Sequence, residues 1–294
     1  MTTSTSSTSS PVALRRPDAT RRAILKAFGY SALVVFALLY IFPFIIQIGT
    51  SFKTDADATA NPLNPIPETF TTAAYQSLFQ QDLPLWFGNS VIVAVFVTAG
   101  RVFFDSLAGY ALARLRFRGR GAVTIAIVAT MAVPGVVLLI PKFLIIKQFG
   151  MYDAYTGMIV PLLADAAGVF IMKNFFEGIP VSLEEAAKLD GAGVFRTFWS
   201  VVLPIARPAL ITITIIAFQA SWNEFPHFLV SRQSPETNTL TTGIAGLLTG
   251  ALGSGSRFPL KLAAAVIMTI PIAVMFFVFQ KRIISGSLEG AVKE

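Results

Sequence analysis

The chain has no cysteine among its 294 residues. That excludes disulfides, thiolate metal sites and a cysteine nucleophile. It has one histidine, His227, and no H-E-x-x-H, which excludes a zinc hydrolase of that kind. The dipeptide Gly-Lys never occurs, so no G-x-x-x-x-G-K-[ST] loop can cradle nucleotide phosphates. No Ser/His/Asp constellation can be argued, and an enzyme reading is weak. Charge is scarce as well. Only 13% of residues are charged, where a soluble domain carries about a quarter. Apolar residues take their place: the chain is 54% hydrophobic with a mean hydropathy of +0.67. This is the composition of an integral membrane protein.

The apolar residues fall into six runs of spanning length, a helix needing about 20 residues to cross a bilayer. They are Ala27–Thr50, Trp86–Ala113, Gly121–Ile140, Gly157–Phe176, Ala209–Val230 and Leu262–Gln280. Pro43 is expected to kink the first, Pro134 and Pro141 to break the third, and Pro161 to interrupt the fourth. The first run is read as an uncleaved span, because it is long and lacks an A-x-A exit. Residues 1–26 form a polar arm, Thr- and Ser-rich at the start and then basic, read as partly disordered. Two stretches, Ser51–Leu85 and Ser231–Pro259, read as external loops.

The net charge of +7 could suggest nucleic acid or anionic lipid. Its distribution says otherwise. With six spans both termini share a side. That side holds 16 Lys and Arg, in the arm, the turn Arg114–Arg120, the end of the fourth run at Lys173, the loop 177–208 and the tail 281–294; the other holds 6. The surplus is a topology signal that places both termini in the cytoplasm, and no nucleic-acid partner is expected.

Polar groups inside the spans are few. Arg101 and Asp105 are four apart, share a helix face and can pair. The pair reads as a lock between spans, with a functional role left open. Asp165 reads as the cap of a helix restarting after Pro161. Trp222-Asn223-Glu224 offers a ring face, an amide and a carboxylate within one turn, which suits a hydroxyl-rich ligand. An interfacial aromatic belt with polar neighbours explains it equally well. The loop around Gly250, Gly253 and Gly255 reads as a flexible turn.

One polar stretch is organised differently from all others: Ser182–Pro208. Ser182 with Glu185 three residues on is a capping-box pattern, which starts a helix at Leu183. Gly191 ends it. A second helix, Val194–Leu203, carries Val194, Phe198 and Val201 on one face, and Pro204 stops it. Two short helices around a glycine turn, between two spans, read either as a solvated loop that is helical or, since few such loops carry a cap, a stop and an apolar stripe together, as a docking element for another protein on one side of the membrane.

Glu185-Ala186-Ala187, Gly191, Val201 and Leu203-Pro204 resemble the EAA loop of ABC importer permeases, with Val201 where the family usually has Ile. Asp190 and Pro208 fit the sugar-importer branch, and Trp222-Asn223-Glu224 resembles its W-N-E stretch. The ending Gly286…Gly290-Ala291-Val292-Lys293 resembles the family's G-x-x-x-G-A-V-K tail. The resemblance implies an all-α, type I importer-like permease domain over residues 27–294. It implies coupling to ATPase subunits through Leu183, Glu184, Glu185, Ala186, Ala187, Asp190, Gly191, Ala192, Phe195, Phe198, Val201, Leu203 and Pro204. Glu185 and Asp190 would lie at that interface, with Phe198 and Val201 buried in it. Trp222, Asn223 and Glu224 become substrate-path candidates, and Gly250, Gly253 and Gly255 lie in the outer loop that meets the binding protein. The implied partners are a second, homologous permease, two ATPase subunits that bind ATP and Mg, an extracytoplasmic solute-binding protein, a sugar and the surrounding lipid. No cofactor is expected on this chain. A glycerol-phosphate importer is the nearest alternative, but Arg101 is the only cation in the interior of a span, Lys173 lying near the end of the fourth, which favours a neutral sugar. Half of a secondary transporter is the alternative of a different class, and it would leave the EAA-like loop unexplained.

Overall fold

A computed structural model of the protein describes residues 19–249 and 257–291. All the regular structure in those residues is helical. Helix α1 (Ala19–Ser51) runs unbroken through Pro43. Its long apolar side chains point outward almost without exception, Phe28 and Tyr40 among them. In water that surface would be untenable; in a bilayer it is the lipid face. The helix leans mainly on α15 (Phe258–Ala291), and at its end Ser51 Oγ lies 2.8 Å from the Tyr75 hydroxyl.

Residues 52–82, expected as an external loop, are knitted into a unit. Helices α2 (Asp55–Ala60) and α3 (Ala73–Phe79) pack on α15. Lys53 is buried there: its Nζ lies 3.6 Å from Asp57 Oδ1 and donates to the Asn61 carbonyl at 2.8 Å. Asp57 in turn accepts the Glu68 N–H at 2.9 Å, and Phe52 stacks on Phe70. An ammonium this buried needs such partners.

The scaffold's axis is α4 (Leu83–Arg114), 32 residues and so about 48 Å long. Both α8 (Ala166–Glu177) and α12 (Arg207–Trp222) pack along it. Near its start, Trp86 joins Trp222, Leu240, Ile244 and Ala263 in one buried cluster. Near its end, Tyr110 joins Met172, Phe176, Phe198 and Val202 in another.

The third apolar run does not make a straight span. Helix α5 (Arg120–Met131) covers only about 18 Å, short of a hydrocarbon core of about 30 Å. The chain then turns through 100° by Pro134 into Gly135–Gln148, whose helical part is α6 (Leu139–Gln148). The stretch ahead of the fifth run is bent too: Val194–Ile205 meets α12 at 80°. Between α6 and α8 lies α7 (Tyr155–Ile159); α13 (Pro226–Ser231) and α14 (Leu240–Thr249) follow α12. Among the described residues four helical runs are long and apolar enough to cross a membrane, and up to six if each bent pair counts as one span.

Asp165 caps α8, its Oδ2 accepting the N–H groups of Ala167 and Gly168 at 3.1 and 3.2 Å. The Arg101–Asp105 pair does not form. Arg101 donates its Nε–H to the Leu162 carbonyl at 2.9 Å, and Asp105 accepts the Asp165 N–H at 2.9 Å. Each finds a backbone partner on the neighbouring segment, which serves a buried group better than a partner on its own helix.

Candidate functional site

The polar loop leaves α8 through Gly178-Ile179-Pro180 and enters α9 (Val181–Leu189). Pro180 stands at the N-cap with φ −57° and ψ 130°. Its fixed φ and missing N–H suit an entry point. The helix therefore starts before Ser182, which lies in the first turn, and the Ser182–Glu185 capping box is not formed. Glu185 faces outward.

Gly191 ends α9 as the sequence implies. Its φ is +79°. Its N–H bonds to the Lys188 carbonyl at 3.0 Å, and the Ala192 N–H to the Ala187 carbonyl at 2.9 Å. This is the Schellman arrangement, and it needs a left-handed residue at that point.

The next segment is α10 (Val194–Thr197), a π-helical turn Phe198–Val202, and the short turn α11 (Leu203–Ile205). The widened turn moves the buried face. Phe198 and Val202 are buried in the scaffold, while Val201 lies on a groove wall. Pro204 sits inside α11, and the chain bends only after Ile205.

Between α9 and α10 lies a groove of about 350 Å³, lined by Leu183, Ala186, Asp190, Ala192, Arg196 and Val201 among others. Beside it Leu189 and Phe195 are 90% and 75% exposed. These are two large apolar side chains in the open on either side of the Gly191 turn. Glu184 differs from the other loop residues. It is 4% exposed and turned inward, its Oε1 lying 2.8 Å from Arg114 Nε. The Tyr110 hydroxyl donates to its Oε2 at 3.3 Å, and Arg114 Nη2 also donates to the Ile179 carbonyl.

The substrate-path candidates are separated by burial. Trp222 is 3% exposed; its Nε1–H donates to the Met268 carbonyl at 3.0 Å, Phe218 stacks on its ring and Phe87 meets it edge-on. Asn223 is exposed. Glu224 accepts the His227 N–H at 2.9 Å at the start of α13. Gly250, Gly253 and Gly255 lie outside the described residues. So do Val292 and Lys293 of the tail.

At the far end of the scaffold from α9, Asp153 is the polar hub. It accepts the N–H groups of Gln233 and Ser234 at 2.8 and 2.9 Å, and the hydroxyls of Ser234 and Thr237. These donors, the Gln233 N–H first, hold its carboxyl far below the usual aspartate range. Among the described residues no group of three or more His, Cys, Asp or Glu could hold a metal ion.

Residues 105–286 match the family described as binding-protein-dependent transport system inner membrane component. The chain is 34% identical over 281 residues to the polygalacturonan/rhamnogalacturonan transport system permease protein YtcP of Bacillus subtilis, covering 90% of this chain and 96% of that one. It is 32% identical to the trehalose/maltose transport system permease protein MalG of Thermococcus litoralis, covering 88% and 94%. A crystal structure of a bacterial ABC transporter involved in import of the acidic polysaccharide alginate contains a chain that superposes with TM-score 0.75 at 27% identity, over 90% of this chain and 98% of that one. The inward-facing methionine transporter MetNI shares the fold with TM-score 0.51 at 18% identity, over 70% and 95%. On these matches the chain belongs to the binding-protein-dependent transport system inner membrane components, the multi-pass permease subunits of ABC importers.

Proposed function

We propose that this permease carries a sugar or oligosaccharide across the membrane by alternating access, and that the groove between α9 and α10 receives an ATPase subunit. The observation that carries the coupling role is the groove itself, with Leu189 and Phe195 held open beside it at the polar end of the scaffold. The surplus of Lys and Arg at that end supports a cytoplasmic location for α9 and for both termini. ATP and Mg would then act on partner subunits, whose closure moves α9 and through it the spans. Glu185 and Asp190 would meet the ATPase. A second, homologous permease would complete the pathway, and a solute-binding protein would deliver the sugar to the opposite face. Sugar is the substrate class because the three relatives above that are 27–34% identical to this chain belong to polygalacturonan/rhamnogalacturonan, trehalose/maltose and alginate transport systems. Asn223, exposed at the end of α12, is the path candidate best able to reach a passing hydroxyl.

The absence of cysteine makes a direct test simple. Leu189→Cys, in the assembled importer, should cross-link through a thiol-to-amine reagent to lysines of an ATPase subunit. Val136→Cys, at the bend between α5 and α6, should not. A stable complex in which the Leu189→Cys variant cross-links to nothing would overturn the coupling assignment.

A further inference from the structure

Helix α9 has nine residues, yet only Glu184 and Ala187 among them are buried. Ala187 offers a single methyl group. The hold of α9 on the scaffold therefore rests largely on Glu184. Its carboxylate does not return to α8 or run forward to α12, the two helices that flank the loop in sequence. It pairs with Arg114, the last residue of α4, at 2.8 Å. The side chains of Arg114 and Glu184 are 11% and 6% exposed, so solvent screens the pair little. Arg114 also donates to the Ile179 carbonyl, just ahead of α9, so one guanidinium holds both the entry and the body of the loop. Tyr110, one turn back on α4, donates to the other carboxylate oxygen. Its ring packs edge-on against Phe176 of α8 and tilted against Phe198 of the π-helical turn, with centroids 5.8 and 5.0 Å apart.

We infer that Glu184 and Arg114 are positioning residues that make α9 and the end of α4 one rigid lever, so that a displacement of α9 is delivered to α4 first. From there α4 passes it to α8, to which Asp105 ties it through the Asp165 N–H. A loop tethered only at its two covalent ends would absorb such a displacement in Gly178 and in the bend after Ile205. The ion pair removes that slack. This inference rests on the proposed coupling role of the α9–α10 groove.

The test uses the complete importer in nanodiscs, comparing sugar imported per ATP hydrolysed. Glu184→Gln and Arg114→Gln should each lower that ratio by about tenfold, and the double variant should be no worse than either single, because all three break one link. A purely structural defect would reduce uptake and hydrolysis together and leave the ratio intact. Ratios within about twofold of wild type in both singles, or losses that multiply in the double, would overturn the inference. Should a variant fail to assemble, the lever is read in a chain with the pair intact. Spin labels on Arg116→Cys and Lys188→Cys should keep their separation to within about 2 Å between nucleotide-free and ATP-bound states, the scale of adjustments between packed helices. A larger change would overturn it. A wild-type complex that shows no coupled uptake would sink the importer reading itself; coupled wild type with insensitive variants sinks only the lever.

Discussion

Asp105 of α4 and Gly168 of α8 occupy adjoining space: a Cβ at residue 168 would fall well inside van der Waals distance of Asp105 Oδ2. The missing side chain lets the carboxylate reach the Asp165 N–H at the start of α8. Gly168→Ala should therefore push α8 away from α4 and destabilise the protein by about 1–3 kcal/mol, the usual cost of overpacking. Gly88, also helical, has open space where a Cβ would stand. Gly88→Ala should be neutral or stabilising by up to about 1 kcal/mol. Thermal unfolding of the purified permease compares the two. Equal melting temperatures would contradict the close packing.

Gly191 tests the loop. At φ +79° any L-side chain is strained, by about 1–2 kcal/mol and more for a β-branched one. Gly191→Val should unwind the end of α9, reshape the groove and uncouple uptake from ATP hydrolysis. Gly191→Asn, which tolerates the left-handed region, should keep most of the coupling. Glu185→Lys changes an outward-facing residue, so it should uncouple without lowering the melting temperature. Normal uptake in both Gly191→Val and Glu185→Lys would remove the docking role.

Asp153 gives a pH dependence. Its carboxyl is held below the ordinary aspartate value by donated hydrogen bonds. A depressed folded-state value means that the charged form stabilises the fold. That contribution is complete above the unfolded value, about 3.9, and fades as pH falls below it. Hydrogen exchange at the Gln233 and Ser234 amides should show constant protection from neutral pH to about 4, then a decline. In Asp153→Asn protection should be lower at neutral pH and nearly flat with pH. Wild-type protection already lost at about pH 5 would contradict the sign.

The sequence carries local features well and long-range ones poorly. Spans α1, α4 and α15 are legible because about twenty consecutive apolar residues have few other uses. Gly191 is legible because a glycine after a polar helix has a specific geometric purpose, and Asp165 because a cap acts within three residues. The capping box fails by two positions. Ser182 and Glu185 have the right spacing, but Pro180 starts the helix earlier. Phe198 turns into the scaffold with Val202, away from Val201, because the π-helical turn at Phe198 shifts the register, and no single residue announces such a turn. Arg101 and Asp105 satisfy the helical pairing rule, yet each finds a backbone partner on another segment. Glu184 is the hardest case. Beside Glu185 it looks like one of two equivalent surface carboxylates, and only the fold brings Arg114, 70 positions earlier in the chain, against it.

The central claim is that this chain imports sugar under the drive of partner ATPases. The most direct measurement is ATPase activity of the chain, coexpressed with its sister permease and ATPase subunits, in nanodiscs, with candidate binding proteins and a panel of neutral and acidic saccharides. The account predicts stimulation by a binding protein only when it is loaded, and the stimulating saccharide names the substrate class. A stable complex whose hydrolysis no loaded binding protein raises would contradict it.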